Sequence, residues 1–496
     1  MARRDKQQQQ QQQQQAHFLI VTYPAQGHVT PARHLARRFV RGGALATVCV
    51  PVSAFRKMFP TGEVGVEEEV ERGGVGYAAY SDGYDGGFDR AVDDHTRYMA
   101  QVRTVGSRTL AGVLRRLRDG GRPVTCAVYT LLLPWVADVA RENDVVATAV
   151  FWIQPVTALA AYYHYFRGHR EAVVAAAASR DPCAEVHLPG LPPLRVRDLP
   201  SFLAITSDDD PFAFVLPEFS GLINLLDRRG GDSGEPPTYV LANTFDAMEG
   251  DSLASLRPHI EVVAVGPVLS FLHDADETKS VSSPNDLFDH DSVSYLDWLD
   301  TKPDWSVVYI SFGSSSVMSK KQVAEIAAAM AEAKKPFLWV IRKDNHNDEE
   351  DAAAVKKLVA AAAMDGAGGM AVEWCDQPRV LSHPSVGCFV THCGWNSTLE
   401  SVACGVPVVA APQYSDQGTN AWLVERMGVG VRAAVRGQDG VLEAEELRRC
   451  VDAVMSEATA ARAAAWKDEA AAAVADGGGS ERSLNEFVRR ISTTTD

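Results

Sequence analysis

No run of eighteen or so apolar residues occurs anywhere in these 496 residues, so no membrane-spanning helix is expected. The opening MARRDK leads into nine glutamines (7–15) with no apolar stretch, which does not fit a secretory leader. Residues 1–15 read as a disordered tail, and the expected compartment is the cytoplasm. Excess positive charge is missing too. With 48 Lys and Arg against 64 Asp and Glu, the net charge of −16 argues against nucleic acid or an anionic membrane as partner. The eight cysteines include no C-x-x-C pair, so no metal site is expected and the thiols are read as reduced. There is also no G-x-G-x-x-G after a strand: PAQGH follows the first apolar run and FGSSS the run from Val307. That argues against a nicotinamide oxidoreductase.

What is present is strand–helix alternation. AHFLIVTYP (16–24) reads as a strand, and Thr30 with Pro31 as the cap and first residue of a helix. On that helix Ala32, Leu35, Ala36, Phe39 and Val40 form the apolar stripe, while Arg33, Arg37, Arg38 and Arg41 face away. LATVCVP (45–51), TCAVYT (125–130) and VVATAVFW (145–152) continue the series, and a second series starts at Val307. The pattern predicts an α/β chain of two doubly wound, Rossmann-like parallel sheets facing across a cleft. Expected boundaries are a domain over 16–265, a polar linker over 266–295, a second domain over 296–478, and a C-terminal helix over 479–496. The acidic run 344–351 reads as a solvated loop, and the alanine-rich stretches 352–363 and 458–474 as helix.

The densest segment is Trp374–Gln417, WCDQPRVLSHPSVGCFVTHCGWNSTLESVACGVPVVAAPQYSDQ, 44 residues long. VGCFVTH and VPVVAAP are near-continuous apolar runs, the signature of parallel strands buried on both faces. Between them a glycine turn opens a short helix, whose free N–H groups and dipole make a ready anion site. His392 ends the first strand, Asn396 and Ser397 begin the helix, and Trp374 closes a short run where its ring could stack on a planar base. Asp416 and Gln417 offer partners suited to sugar hydroxyls.

This segment resembles the signature box of the plant family 1 UDP-glycosyltransferases, in order, length and nearly every characteristic position. The resemblance implies the two-domain fold called GT-B, with the last helix returning to the N-terminal domain. It implies that Trp374 stacks on uracil, that the Cys375 backbone reads the base edge, and that Gln377 and Glu400 hold the ribose. His392, Asn396, Ser397 and the hydroxyl of Ser314 would bind the diphosphate. Asp416 and Gln417, helped by Trp395, would grip the transferred sugar, and glutamine at the last position favours glucose. The expected partners are then UDP-glucose as donor substrate and a small-molecule acceptor, with no metal, no other cofactor, and a monomeric chain.

By the same resemblance His28, after YPAQG, is the general base of an inverting transfer. One position departs from pattern: many relatives carry aspartate where this chain has Thr130. A carboxylic acid with pKa near ~4 is already ionised at neutral pH, whereas a phenol near ~10 needs a base. Thr130 therefore favours carboxylate acceptors and glucose-ester products, as for hormone-like or other aromatic acids, with phenolic O-glucosylation as the alternative. Chains with threonine here resemble a subgroup acting on auxin-like acids, apocarotenoid acids and flavonoid hydroxyls. A UDP-sugar-binding protein without catalysis is the more remote alternative. Trp135, Phe151, Trp152, Gln154, Tyr162 and Tyr163 are candidates for an apolar acceptor slot.

Overall fold

The computed structural model describes residues 15–60, 68–89, 92–207, 209–227, 238–272, 294–314, 316–342, 357–358, 360–361, 368–435 and 440–493. The glutamine tail, most of the linker, the acidic run at 344–351 and most of the alanine-rich stretch at 352–363 lie outside them.

Two sheets organise the chain. The first has eight strands: β1 (His17–Val21), β2 (Leu45–Pro51), β3 (Val70–Arg72), β4 (Val75–Tyr80), β5 (Cys126–Thr130), β6 (Ala147–Trp152), β7 (Thr238–Ala242) and β8 (Val262–Ala264). Their order is β8-β7-β6-β5-β1-β2-β4-β3, parallel except for β3 against β4. The second has six: β9 (Val307–Ser311), β10 (Phe337–Val340), β11 (Gly369–Val372), β12 (Val386–Thr391), β13 (Val408–Ala410) and β14 (Gly430–Arg432), ordered β11-β10-β9-β12-β13-β14. Nearly all residues of the central strands are buried, as their unbroken apolar runs require.

The topology fixes where ligands go. In the first sheet the chain runs from β1 outward through β2 and β4, then returns to the other side of β1 as β5. In the second it leaves β9 through β10 and β11 and returns beside β9 as β12. Open α/β sheets bind ligands beyond the carboxyl ends of strands at such switch points. His28 and Thr130 follow β1 and end β5, while Ser314 and His392 follow β9 and β12. Both switch points thus present their predicted residues to one crevice.

Helix α1 (Gln26–Arg41) begins earlier than Thr30–Pro31 suggested: its N-cap is Ala25, without a side-chain cap, and Pro31 lies inside it. Nor do its arginines all face away. Arg33 and Arg38 are buried, and Arg38 pairs with Glu481 at 2.7 Å and donates to the Val265 carbonyl. Glu481 belongs to helix α4 (Gly479–Thr493), which follows α2 (Trp395–Cys404) and α3 (Gln417–Met427) in the second half of the chain. Leu484, Phe487, Val488 and Ile491 of α4 join the core of the first sheet, with Phe487 against Phe18 and Tyr239.

Candidate active site

One cavity of about 500 Å³ lies between the sheets. All twelve site residues predicted from sequence line it: His28, Ser314, Trp374, Cys375, Gln377, His392, Trp395, Asn396, Ser397, Glu400, Asp416 and Gln417.

His28 sits in the first turn of α1 with Nδ1 at 2.8 Å from Thr130 Oγ1, which also accepts the Tyr23 N–H at 3.3 Å. The ring is half-buried in the cavity wall, and its desolvation there lowers its pKa to about 4, so it is neutral at pH 7. Asp138, the nearest acid downstream, pairs with Arg141 instead. Pro31 has a role the cap reading missed. A helical residue there would bond the carbonyl of Gly27, four positions back; proline leaves that carbonyl free. Asn396 Nδ2 takes it at 3.1 Å, tying α1 beside His28 to the start of α2 across the cleft.

His392 is held by its neighbours' lack of side chains. A Cβ on Gly313 (φ +75°) would come within 2.5 Å of the ring, and one on Gly394 within 2.6 Å. Burial first, and the Arg342 charge second, lower the His392 pKa to about 4. The neutral ring can donate an N–H to a phosphate oxygen. Gln377 Nε2 donates to Glu400 Oε2 at 2.6 Å and to Ser397 Oγ at 2.8 Å, and its Oε1 accepts from Tyr309 at 3.1 Å. Trp374 is half-buried at the rim of the second core, beside Cys375. The Trp395 indole N–H goes to the Asn243 carbonyl at 2.9 Å and its ring packs with Phe245 and Leu269, so that hydrogen-bond donor is committed to the first domain.

Asp416 precedes α3, fully buried, with Oδ2 accepting from Asn420 Nδ2 at 2.7 Å. Burial raises its pKa to about 6, against which the Asn420 and Ser415 hydrogen bonds act. Gln417 Oε1 takes the backbone N–H groups of Gln413 and Tyr414, which leaves Nε2 as its donor. The loop is braced by the first domain. Ser415 (φ +61°) exchanges hydrogen bonds with Ser201 through both backbone groups, Thr419 Oγ1 donates to the Asp198 carbonyl, and Arg432 pairs with Asp198 at 2.8 Å.

Sequence reasoning missed two features. Arg33, His34 and Arg37 of α1 also line the cavity, as does Arg379. The three arginines are a local cationic exception in a chain of net charge −16, suited to an anionic ligand. The Asp198–Ser201 brace was missed because that segment has no periodicity. Of the acceptor candidates only Gln154 lines the cavity; Trp152 and Tyr162 are core, with Tyr162 stacked on Phe219 at 4.1 Å.

A family profile described as UDP-glucoronosyl and UDP-glucosyl transferase matches residues 292–463. UDP-glycosyltransferase 75C1 of Solanum lycopersicum is 44% identical over 485 residues, covering 96% of this chain and 98% of that protein. The chain is a plant family 1 UDP-glycosyltransferase. Crocetin glucosyltransferase (chloroplastic) of Gardenia jasminoides is 42% identical, over 95% of this chain and 96% of that one. Os79 from O. sativa in complex with UDP superposes on this glycosyltransferase with a TM-score of 0.79 at 29% identity, over 96% and 100% of the two chains. The fold is therefore GT-B, and the activity is glucosyl transfer from a UDP-sugar to a small metabolite. No helix among the described residues is long and apolar enough to cross a membrane.

Proposed function

We propose that this glycosyltransferase moves glucose from UDP-glucose to the carboxylate of a small apolar acid, giving a glucose ester, in the cytoplasm and as a monomer. One observation carries the reading: the partner of His28 Nδ1 is the hydroxyl of Thr130. A carboxylate there could only accept, so Nδ1 would hold a proton and Nε2 would be the base. Threonine can also donate its O–H to Nδ1, and in that tautomer the ring proton sits on Nε2, which weakens the base without abolishing it. Nor does it bring charge to stabilise an imidazolium whose pKa burial has already lowered to about 4. A phenol needs that base; an ionised acid does not.

In the reaction the acceptor oxygen attacks the anomeric carbon from the face opposite UDP. The bond from that carbon to the diphosphate oxygen breaks, and UDP leaves with the electron pair. A phenol passes its proton to His28 Nε2, whereas a carboxylate has none to pass. Charge gathering on the diphosphate is met by His392, Ser314, Asn396, Ser397 and the N–H groups of α2. Trp374 stacks on uracil, the Cys375 backbone reads the base edge, and Gln377 with Glu400 holds the ribose. Asp416 and Gln417 hold the hexose. The cycle uses no metal and no cofactor beyond the donor substrate.

The test is Thr130→Asp. Restoring a carboxylate is expected to help phenols, while its charge repels an anionic acceptor by ~1 kcal/mol or more. The ratio of kcat/KM for a phenolic over a carboxylic acceptor should therefore rise. A ratio that stays put or falls would overturn the claim. The second reading, phenolic O-glucosylation, draws on relatives named phloretin 4'-O-glucosyltransferase (40% identical) and anthocyanidin 3-O-glucoside 5-O-glucosyltransferase 1 (38%). It predicts phenolic glucosides that survive mild base, where esters hydrolyse.

The donor assignment has its own check. Trp374→Ala is expected to weaken UDP binding by about 1–3 kcal/mol through lost stacking, measured by calorimetry. An unchanged affinity would remove Trp374 from the base site.

A further inference from the structure

Tyr414 stands at a boundary between solvent and the buried end of the cleft. Gln413 before it is exposed, Asp416 and Gln417 after it are buried, and its own half-buried ring lines the cavity. Gln417 Oε1 accepts its backbone N–H at 3.2 Å, which ties it to the loop of Asp416 and Gln417. The ring packs against the core of the first domain. Its aromatic partner there is Phe212, between the turn Ser201–Ala204 and the helix Val215–Leu226. The two rings are nearly parallel, at 9°, with centroids 5.7 Å apart. Phe212 is 39% exposed and is not part of the cavity lining. It is held from behind by buried Phe202 and by the Asp210 carboxylate, which accepts its N–H at 2.8 Å.

Polar contacts already join the domains beside this stack: Ser415 with Ser201, Thr419 with the Asp198 carbonyl, and Arg432 with Asp198. Such groups can keep water among them, whereas two packed aromatic faces exclude it. Bound UDP-glucose needs that exclusion. Until an acceptor arrives, water is the competing nucleophile. Its oxygen bonds to the anomeric carbon, the bond to the diphosphate oxygen breaks, and UDP leaves with the electron pair. The proton passes to His28 Nε2, and free glucose is the product. A closed site suppresses side reactions of this kind.

We propose that the Phe212–Tyr414 stack is a water barrier built across the two domains at the sugar end of the cleft. Phe212 is a positioning residue: by holding the Tyr414 ring in place it sets how the glucosyl group divides between acceptor and water. The proposal rests on the reading of the Asp416 side of the cleft as the sugar site.

The experiment measures free glucose released from UDP-glucose without acceptor, and the ratio of free glucose to glucoside with one acceptor present. Wild type is compared with Phe212→Ala, Phe212→Trp, Tyr414→Ala and the double alanine variant. Calorimetric UDP affinity, expected to be unchanged, reports that each is folded. Phe212→Ala should raise both readings by roughly two- to ten-fold, the worth of one aromatic pair expressed as an equilibrium. Phe212→Trp, which can still stack, should stay near wild type. Adding Phe212→Ala to Tyr414→Ala should change nothing further, because the stack is already gone. Unchanged hydrolysis in Phe212→Ala, a further rise in the double variant, or an equal loss of transfer and hydrolysis would overturn the proposal. A wild-type protein that makes neither glucoside nor free glucose from UDP-glucose would instead overturn the sugar-site reading beneath it.

Discussion

His28→Ala is expected to cut turnover on a phenolic acceptor by about 10²–10⁴-fold, the usual contribution of a positioned base. UDP affinity should be preserved, because the proposed nucleotide contacts come from the second sheet and its loops. With a carboxylic acceptor the loss should be far smaller, since no proton moves. Steady-state kinetics on the two acceptor classes, with calorimetric UDP titration, test all three statements. Equal losses on both classes would mean that His28 positions the acceptor rather than taking its proton. The pH profile adds an independent check. Burial lowers the His28 pKa to about 4, so the imidazole stays neutral and competent at any pH well above that value. Asp416 is raised to about 6, so its carboxylate is lost as pH falls through 6. Any acid limb near pH 6 should therefore belong to Asp416 and disappear in Asp416→Asn, whatever activity remains.

Asp198→Ala should give the largest loss of stability, about 3–5 kcal/mol, because it strips the partner from a buried guanidinium. The side chains of Arg432 and Asp198 are 8% and 5% exposed, and the pair spans the two domains at 2.8 Å. Arg432 also donates to the carbonyls of Arg197 and Gly418, so its head stays in place with only the more distant Glu425, at 3.7 Å, to balance its charge. Denaturant midpoints measure the effect. The double change Asp198→Leu with Arg432→Met should recover much of it, since replacing both members avoids the desolvation penalty. Because the pair underpins the loop carrying Asp416 and Gln417, turnover should fall further than UDP affinity.

The β12–β13 segment was legible because buried parallel strands leave no room for polar residues, and a glycine turn between them can only open a helix. The twelve site residues came from that segment and the stretches flanking it, from the turn after β9 and from the start of α1. Long-range pairings were not legible. Arg38 looked like a surface residue because nothing near it in sequence announces Glu481, 443 positions away. Thr30–Pro31 looked like a helix start because local chemistry favours it. The fold instead begins α1 at Gln26 and uses the proline to release one carbonyl for Asn396. Trp152 and Tyr162 were aromatic enough for a binding slot, yet fully buried positions beside Phe219 claimed them.

Helix α4 has a consequence for biosynthesis. Its Leu484, Phe487 and Ile491 complete a core whose other strands end at Ala264, more than two hundred residues upstream. At ordinary ribosomal rates that interval is on the order of ten to fifty seconds. Throughout it the nascent first domain exposes Phe18 and Tyr239, the two aromatics that Phe487 covers. Vectorial folding therefore cannot finish the first domain before the second has been made, and the interval is a window for chaperone capture.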